Sequence, residues 1–95
     1  MKILAVCGFG VGSSMILKMT IQKAMREIGV EGDVINTDIS DSTGHNADAV
    51  FSSPDFIGDL EKRFKNKDVK LYAIKRYSDL SEVKEKVQDL VDSKK

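Results

Sequence analysis

The chemistry of this sequence concentrates in eight consecutive residues: Cys7, Gly8, Phe9, Gly10, Val11, Gly12, Ser13 and Ser14. Cys7 is the one cysteine of the chain, and it closes the longest apolar run, residues 3–7. Three alternating glycines follow. Glycine lets the backbone take φ > 0 and turn successive N–H groups toward one point. Ser13 and Ser14 stand where a helix is expected to begin, and a helix start adds unpaired N–H donors and about half a positive charge. The two hydroxyls add further donors. Such a cradle suits a dianionic phosphoryl group. A thiol facing the same donors ionises below its reference pKa of about 8.5, and thiolate is the nucleophilic form of sulfur. Many lone cysteines are inert buried residues. The position of Cys7 between an apolar run and a glycine cradle favours a nucleophile instead.

The elements that must position this loop follow from the periodicity. Residues 2–7 read as a strand buried on both faces. A helix capped by Ser13 or Ser14 runs to Ile28 and is stopped by Gly29, with Leu17, Ile21, Ala24, Met25 and Ile28 as its core stripe. Residues 33–39 and 47–52 read as the second and third strands, separated by a turn-rich segment, 40–46, with room for a short helix. Pro54 suits the first turn of a helix carrying Phe56, Ile57, Leu60 and Phe64 inward. Residues 69–74 form a fourth strand, and a last helix starts near Ser78 or Asp79 and buries Leu80, Val83, Val87, Leu90 and Val91. Alternating elements of this length predict an α/β, three-layer doubly wound fold: a four-stranded parallel sheet in the order 2-1-3-4, helices on both faces. Ligands of such sheets bind at the carboxyl ends of the strands where the order reverses, here between strands 1 and 3. The loops at residues 8–14 and 52–55 bound that crevice.

Composition restricts the remaining options. Ninety-five residues fit one domain, spanning 1–95, and 41% hydrophobic with 32% charged residues is the balance of a globular chain. Fifteen basic and fifteen acidic side chains cancel, which removes any bulk electrostatic drive toward nucleic acid or anionic lipid. One Cys and one His make neither a disulfide nor a zinc cage. The apolar run of residues 3–7 is too short for a membrane span or a secretory signal, so the expected compartment is the cytoplasm. Charge is unevenly placed: no Lys or Arg falls between Arg26 and Lys62, a stretch holding Asp38, Asp41, Asp48, Asp55 and Asp59. Solvated faces account for that, and a docking face for an oppositely charged protein is the alternative.

Three familiar phosphate loops fail on named residues. A dinucleotide fingerprint needs a glycine where Ser13 stands. A Walker loop needs Gly-Lys-Ser/Thr, and no Lys lies between Lys2 and Lys18. A low-molecular-weight tyrosine phosphatase has an Arg six residues after its Cys, where Ser13 stands, so the bidentate clamp on the phosphoryl oxygens is missing.

The segment from Cys7 through Ser14 and on through Met15, Ile16, Leu17, Lys18 and Met19 resembles the active-site segment of the IIB component of a bacterial sugar phosphotransferase system. Gly12, Ser13, Ser14 and Met15, with the Met15/Met19 spacing, resemble the ascorbate-type branch of the lactose/galactitol-like IIB group. Length and element order extend the resemblance over the full chain. It implies a relay: a phosphoryl group passes from a phosphohistidine of a IIA partner to Cys7, then to a sugar, ascorbate on that branch, held by the membrane component IIC. Cys7 would be the catalytic residue. The N–H groups of Gly8, Phe9, Gly10, Val11, Gly12, Ser13 and Ser14 would hold the phosphate. Donor and acceptor are both protein sites, so neither metal nor nucleotide cofactor is implied. A small Cys-dependent phosphatase or redox enzyme on the same sheet is the alternative enzyme, and a plain interaction module is the third reading.

Other residues carry double readings. His45, the single histidine, reads as exposed and idle. Met15 and Met19 lie opposite the core stripe of their helix, where either a neighbouring helix covers them or they form an adaptable apolar patch for a partner. Phe9, inside the glycine loop, reads as a contact for IIA or IIC. Ser53 with Pro54 reads as a helix cap. A supporting role toward phosphate is the other reading of Ser52, Ser53 and Asp55.

Overall fold

The computed structural model describes residues 1–7, 11–42, 44, 46–65 and 68–93, with Cys7 and residues 11–14, 40 and 41 described through their backbone. Four strands and four helices alternate: β1 (Lys2–Cys7), α1 (Val11–Ile28), β2 (Asp33–Asp38), α2 (Ile39–Ser42), β3 (Ala49–Ser52), α3 (Pro54–Arg63), β4 (Lys70–Ala73) and α4 (Leu80–Ser93). The sheet has the expected order, β2-β1-β3-β4, and each neighbouring pair runs parallel.

β1 is central because its side chains serve both layers. Ile3 and Ala5 join α1 and α4 in one core, with Leu17, Ile21, Ala24, Phe51, Val83, Val87 and Leu90. Leu4 and Val6 join the other, with Val50, Leu60 and Phe64 beneath α3. Period-two alternation sends successive residues to opposite faces, so a strand covered on both sides must be apolar throughout. Removing such side chains from water stabilises the fold by about 1.5–3 kcal/mol each.

Local signals set the element ends. Gly29 has φ 85°, and it donates to the Arg26 carbonyl at 3.2 Å while Val30 donates to that of Met25 at 2.9 Å. That pair closes α1 with the two bonds of a Schellman motif. Asp79 caps α4, its Oδ1 accepting from the Glu82 N–H at 3.2 Å. The Glu82 carboxylate in turn accepts from Lys75 N–H at 2.8 Å and Arg76 N–H at 3.0 Å, tying the loop after β4 to the helix it precedes. The segment after β2 forms the single turn of α2, and β3 starts at Ala49 rather than Ala47. β2 and β4 are each shorter than the apolar runs that mark them.

One expectation is corrected here. α1 starts at Val11, ahead of both serines. Ser13 and Ser14 therefore occupy its first turn and do not precede it as caps. Glycine is also a competent residue ahead of a helix start, and Gly10 directly precedes Val11 in the sequence. Three residues thus suffice to pass from strand to helix.

Candidate functional site

Parallel strands bring four ends to one edge of the sheet. The register pairs Cys7 with Asp38 and Ser52 with Ala73, and β1–β3 pairing runs to Ala5 with Phe51. Across that edge the order is Asp38, Cys7, Ser52, Ala73. α1 leaves β1 toward one face, while α3 leaves β3 toward the other. The order reversal between β1 and β3, where ligands of such sheets bind, therefore falls beside Cys7.

Cys7 is the last residue of β1, and α1 begins four positions on. Four steps of chain span at most roughly 14 Å, so the nucleophile candidate and the helix start are held close by connectivity alone. The first four N–H groups of an α-helix have no acceptor within it. Here they belong to Val11, Gly12, Ser13 and Ser14. Starting the helix at Val11 thus changes the part the serines play: their backbone donors already belong to the positive end of the helix. Gly8, Phe9 and Gly10 lie outside the described residues, as does His45.

Across the order reversal from Cys7 stands the turn from β3 into α3. Ser53 is the N-cap of α3, at φ −69° and ψ 148°, with Pro54 in the first turn, and its Oγ accepts from Asp55 N–H at 3.3 Å. Asp55 is exposed in that first turn, where a carboxylate complements the helix dipole. The capping reading of Ser53 therefore holds. Ser52 is different. It is fully buried, and its hydroxyl donates to the Val6 carbonyl at 2.8 Å, one residue before Cys7. The sequence signal for it is a serine inside a strand otherwise made of Ala, Val and Phe.

On the outer face of α1, Met15 is 43% exposed, Ile16 50% and Met19 61%. Among the described residues no neighbouring helix covers the two methionines, and Ile16 extends the patch. Ile16 and Met19 follow Met15 by one and four residues, a spacing that shares one helix face. A shallow groove alongside is lined by Met19, Lys23, Arg26, Ser78 and Leu80. Asp79, the acid that follows β4 and the candidate for a phosphatase's proton donor, is engaged as the cap of α4. Away from the crevice, Tyr72 donates to Asp89 at 2.8 Å; burial, then that hydrogen bond and the charge of Asp89, push its phenol well above the ordinary tyrosine range. Among the described residues no helix is long and apolar enough to cross a membrane.

Comparison with known proteins gives this edge its context. Over 87 residues the chain is 29% identical to the ascorbate-specific PTS system EIIB component of Mycoplasma pneumoniae, covering 90% of this chain and 88% of that one. The fold resembles the lactose-specific IIB domain of the Streptococcus pneumoniae phosphotransferase system, with TM-score 0.74, 15% identity, and coverage of 97% and 95% of the two chains. It also resembles the enzyme IIB subunit of a PTS system from Escherichia coli K12, with TM-score 0.53, 15% identity and coverage of 98% and 94%. The family model for the lactose/cellobiose-specific IIB subunit of the PTS system matches residues 2–89, nearly the whole of both cores, and the chain belongs to that family of phosphoryl-relay components of sugar uptake.

Proposed function

We propose that Cys7 is the phosphoryl carrier of this relay, loaded by a phosphohistidine of a IIA partner and unloaded onto a sugar in the membrane component IIC. The observation that carries the reading is the placement of the chain's one cysteine at the carboxyl end of β1, four positions before the start of an 18-residue helix, in a chain of the IIB family. In the loading step the Cys7 thiolate attacks phosphorus in line. The S–P bond forms as the P–N bond to the donor histidine breaks, and the imidazole leaves with the electron pair and takes up a proton. Charge spread over the equatorial oxygens is met by the N–H groups of the loop from Gly8 to Gly10 and of Val11, Gly12, Ser13 and Ser14. In unloading, a sugar hydroxyl attacks phosphorus as the S–P bond breaks, Cys7 leaves as thiolate with the electron pair, and the hydroxyl proton passes to a base on the IIC side or to water.

The whole chain, residues 1–95, acts as one IIB-type domain in the cytoplasm, and Met15, Ile16 and Met19, with Phe9, contact the changing partners. The relative named as ascorbate-specific and the Gly-Ser-Ser-Met start of α1 support ascorbate as the transported compound. Incubation with phosphoenolpyruvate, the two general relay proteins and the cognate IIA should add one phosphoryl group, lost in Cys7→Ala. A full phosphoryl gain in Cys7→Ala, read by intact mass, overturns the assignment. Steady hydrolysis of p-nitrophenyl phosphate that vanishes in Cys7→Ser would favour a phosphatase instead.

A further inference from the structure

We propose that Ser52 is a positioning residue for Cys7, an inference that rests on the reading of Cys7 as the phosphoryl carrier. Its hydroxyl is fully buried and its bond to the Val6 carbonyl, 2.8 Å long, joins residues 46 apart in sequence. The Val6 carbonyl and the Cys7 N–H belong to one planar peptide unit and point in opposite directions. With the carbonyl turned toward β3, the N–H turns toward β2, and the register there does pair Cys7 with Asp38. The last peptide of β1 is therefore gripped from both sides, by a strand on one and by a side chain on the other.

That side chain stands where the ladder runs out. Backbone pairing between β1 and β3 reaches Ala5 and Phe51, and two residues later the chain has become the cap of α3. Ser52 itself stays anchored to the next strand, since its carbonyl accepts from Ile74 N–H at 2.7 Å. The clamp is thus mounted on β3 and β4 and reaches across to β1 at the residue before the nucleophile. A near-attack geometry is sensitive to displacements of about 1 Å, which can cost roughly 100-fold in rate. A freed Val6–Cys7 peptide would let the sulfur drift from the donors at the start of α1.

The test uses the full chain as Ser52→Ala and Ser52→Thr, with Val87→Ala as a control that loosens the opposite core. Three quantities are read well below the melting temperature: the alkylation midpoint of Cys7 against pH, the exchange rate of the Cys7 amide, and the rate of phosphoryl transfer from phosphorylated IIA. Ser52→Ala should raise the thiol midpoint, speed Cys7 amide exchange at least tenfold, and slow transfer about tenfold or more. Ser52→Thr, which keeps the hydroxyl, should recover most of each, and Val87→Ala should move none. Ser52→Ala with all three at wild-type values, or changes shared with Val87→Ala, would overturn the positioning role, as would a threonine that recovers nothing. Should the wild-type phosphoryl group prove to sit on another residue, the carrier reading falls. The thiol midpoint and amide exchange, which need no phosphoryl donor, then still decide whether Ser52 holds Cys7.

Discussion

Val11→Pro removes one N–H from the start of α1. Val11 is the first residue of the helix, the position where proline is best tolerated, because its missing N–H has no acceptor inside the helix and its fixed φ is already helical. The substitution should leave the fold intact: the core stripe of α1 begins at Leu17, well beyond the altered turn. The loss falls on the anion. Deleting one donor aimed at a developing charge costs about 2.7–4 kcal/mol, or roughly 100- to 1,000-fold in rate. A single charge-assisted bond that is not specific to the transition state costs about 1.5–3 kcal/mol.

The expected result is a fall of about 100-fold in the rate of phosphoryl transfer from phosphorylated IIA to Cys7, followed by rapid quench and gel separation. Far-ultraviolet circular dichroism and the urea midpoint should stay close to wild type. The thiol should respond less. A helix start stabilises a nearby anion by about 0.3–2 kcal/mol in all, and one missing donor of four should remove only part of that. A folded Val11→Pro protein that transfers phosphate at the wild-type rate would refute the argument, because it would mean that the first N–H of α1 never meets the phosphoryl oxygens.

Three further outcomes follow from the geometry. Gly29 has φ +85° with nothing near its missing Cβ, whereas Gly58 sits mid-helix in α3, equally open; Gly29→Ala should therefore cost about 1–2 kcal/mol and Gly58→Ala gain about 0.5–1 kcal/mol, both read as urea midpoints. Tyr72 has its pKa raised above the usual 10.0, so its contribution is full below that value and is lost as pH climbs beyond it; the alkaline fall in stability should flatten in Tyr72→Phe, and an unchanged profile would contradict the Tyr72–Asp89 bond. Met19→Glu, at an exposed site, should raise KM for the phosphorylated donor several-fold while leaving the melting temperature within a degree or so, and an unchanged KM would remove Met19 from the docking face.

What the sequence makes legible divides along physical lines. Strand order, both core faces, the C-terminal end of α1 and the start of α4 follow from period, capping chemistry and the handedness of crossovers. Gly29 and Asp79 are readable because a positive φ and an N-cap each demand particular residue types. The start of α1 is misread because serine and glycine both suit the position ahead of a helix, and residue preference alone does not choose between Gly10 and the serines. Ser52 is half legible: a hydroxyl in a buried strand needs an acceptor, but the acceptor is chosen by the register of β1 on β3, which no local pattern encodes. The exposure of Met15, Ile16 and Met19 depends likewise on where α4 packs against α1.

The position of Asp79 bears on why this sheet should carry phosphate and not hydrolyse it. Hydrolysis of a phosphocysteine needs a water held in line, a clamp on the oxygens and an acid or base to manage the proton. At the sequence position of the clamp stands Ser13, in the first turn of α1, which offers a backbone N–H but no guanidinium. Asp79, the acid nearest that task by sequence, spends an oxygen on the Glu82 N–H, and Glu82 spends both of its own on the N–H groups of Lys75 and Arg76. The loop after β4 is thereby fastened to α4, and its carboxylates hold backbone. On the reading of Cys7 as the carrier, Asp79 and Glu82 held by backbone in this way would favour storage of the phosphoryl group until a partner brings the acceptor. The balance belongs to a relay, and it lies as much in what Asp79 and Glu82 are bound to as in Cys7 itself.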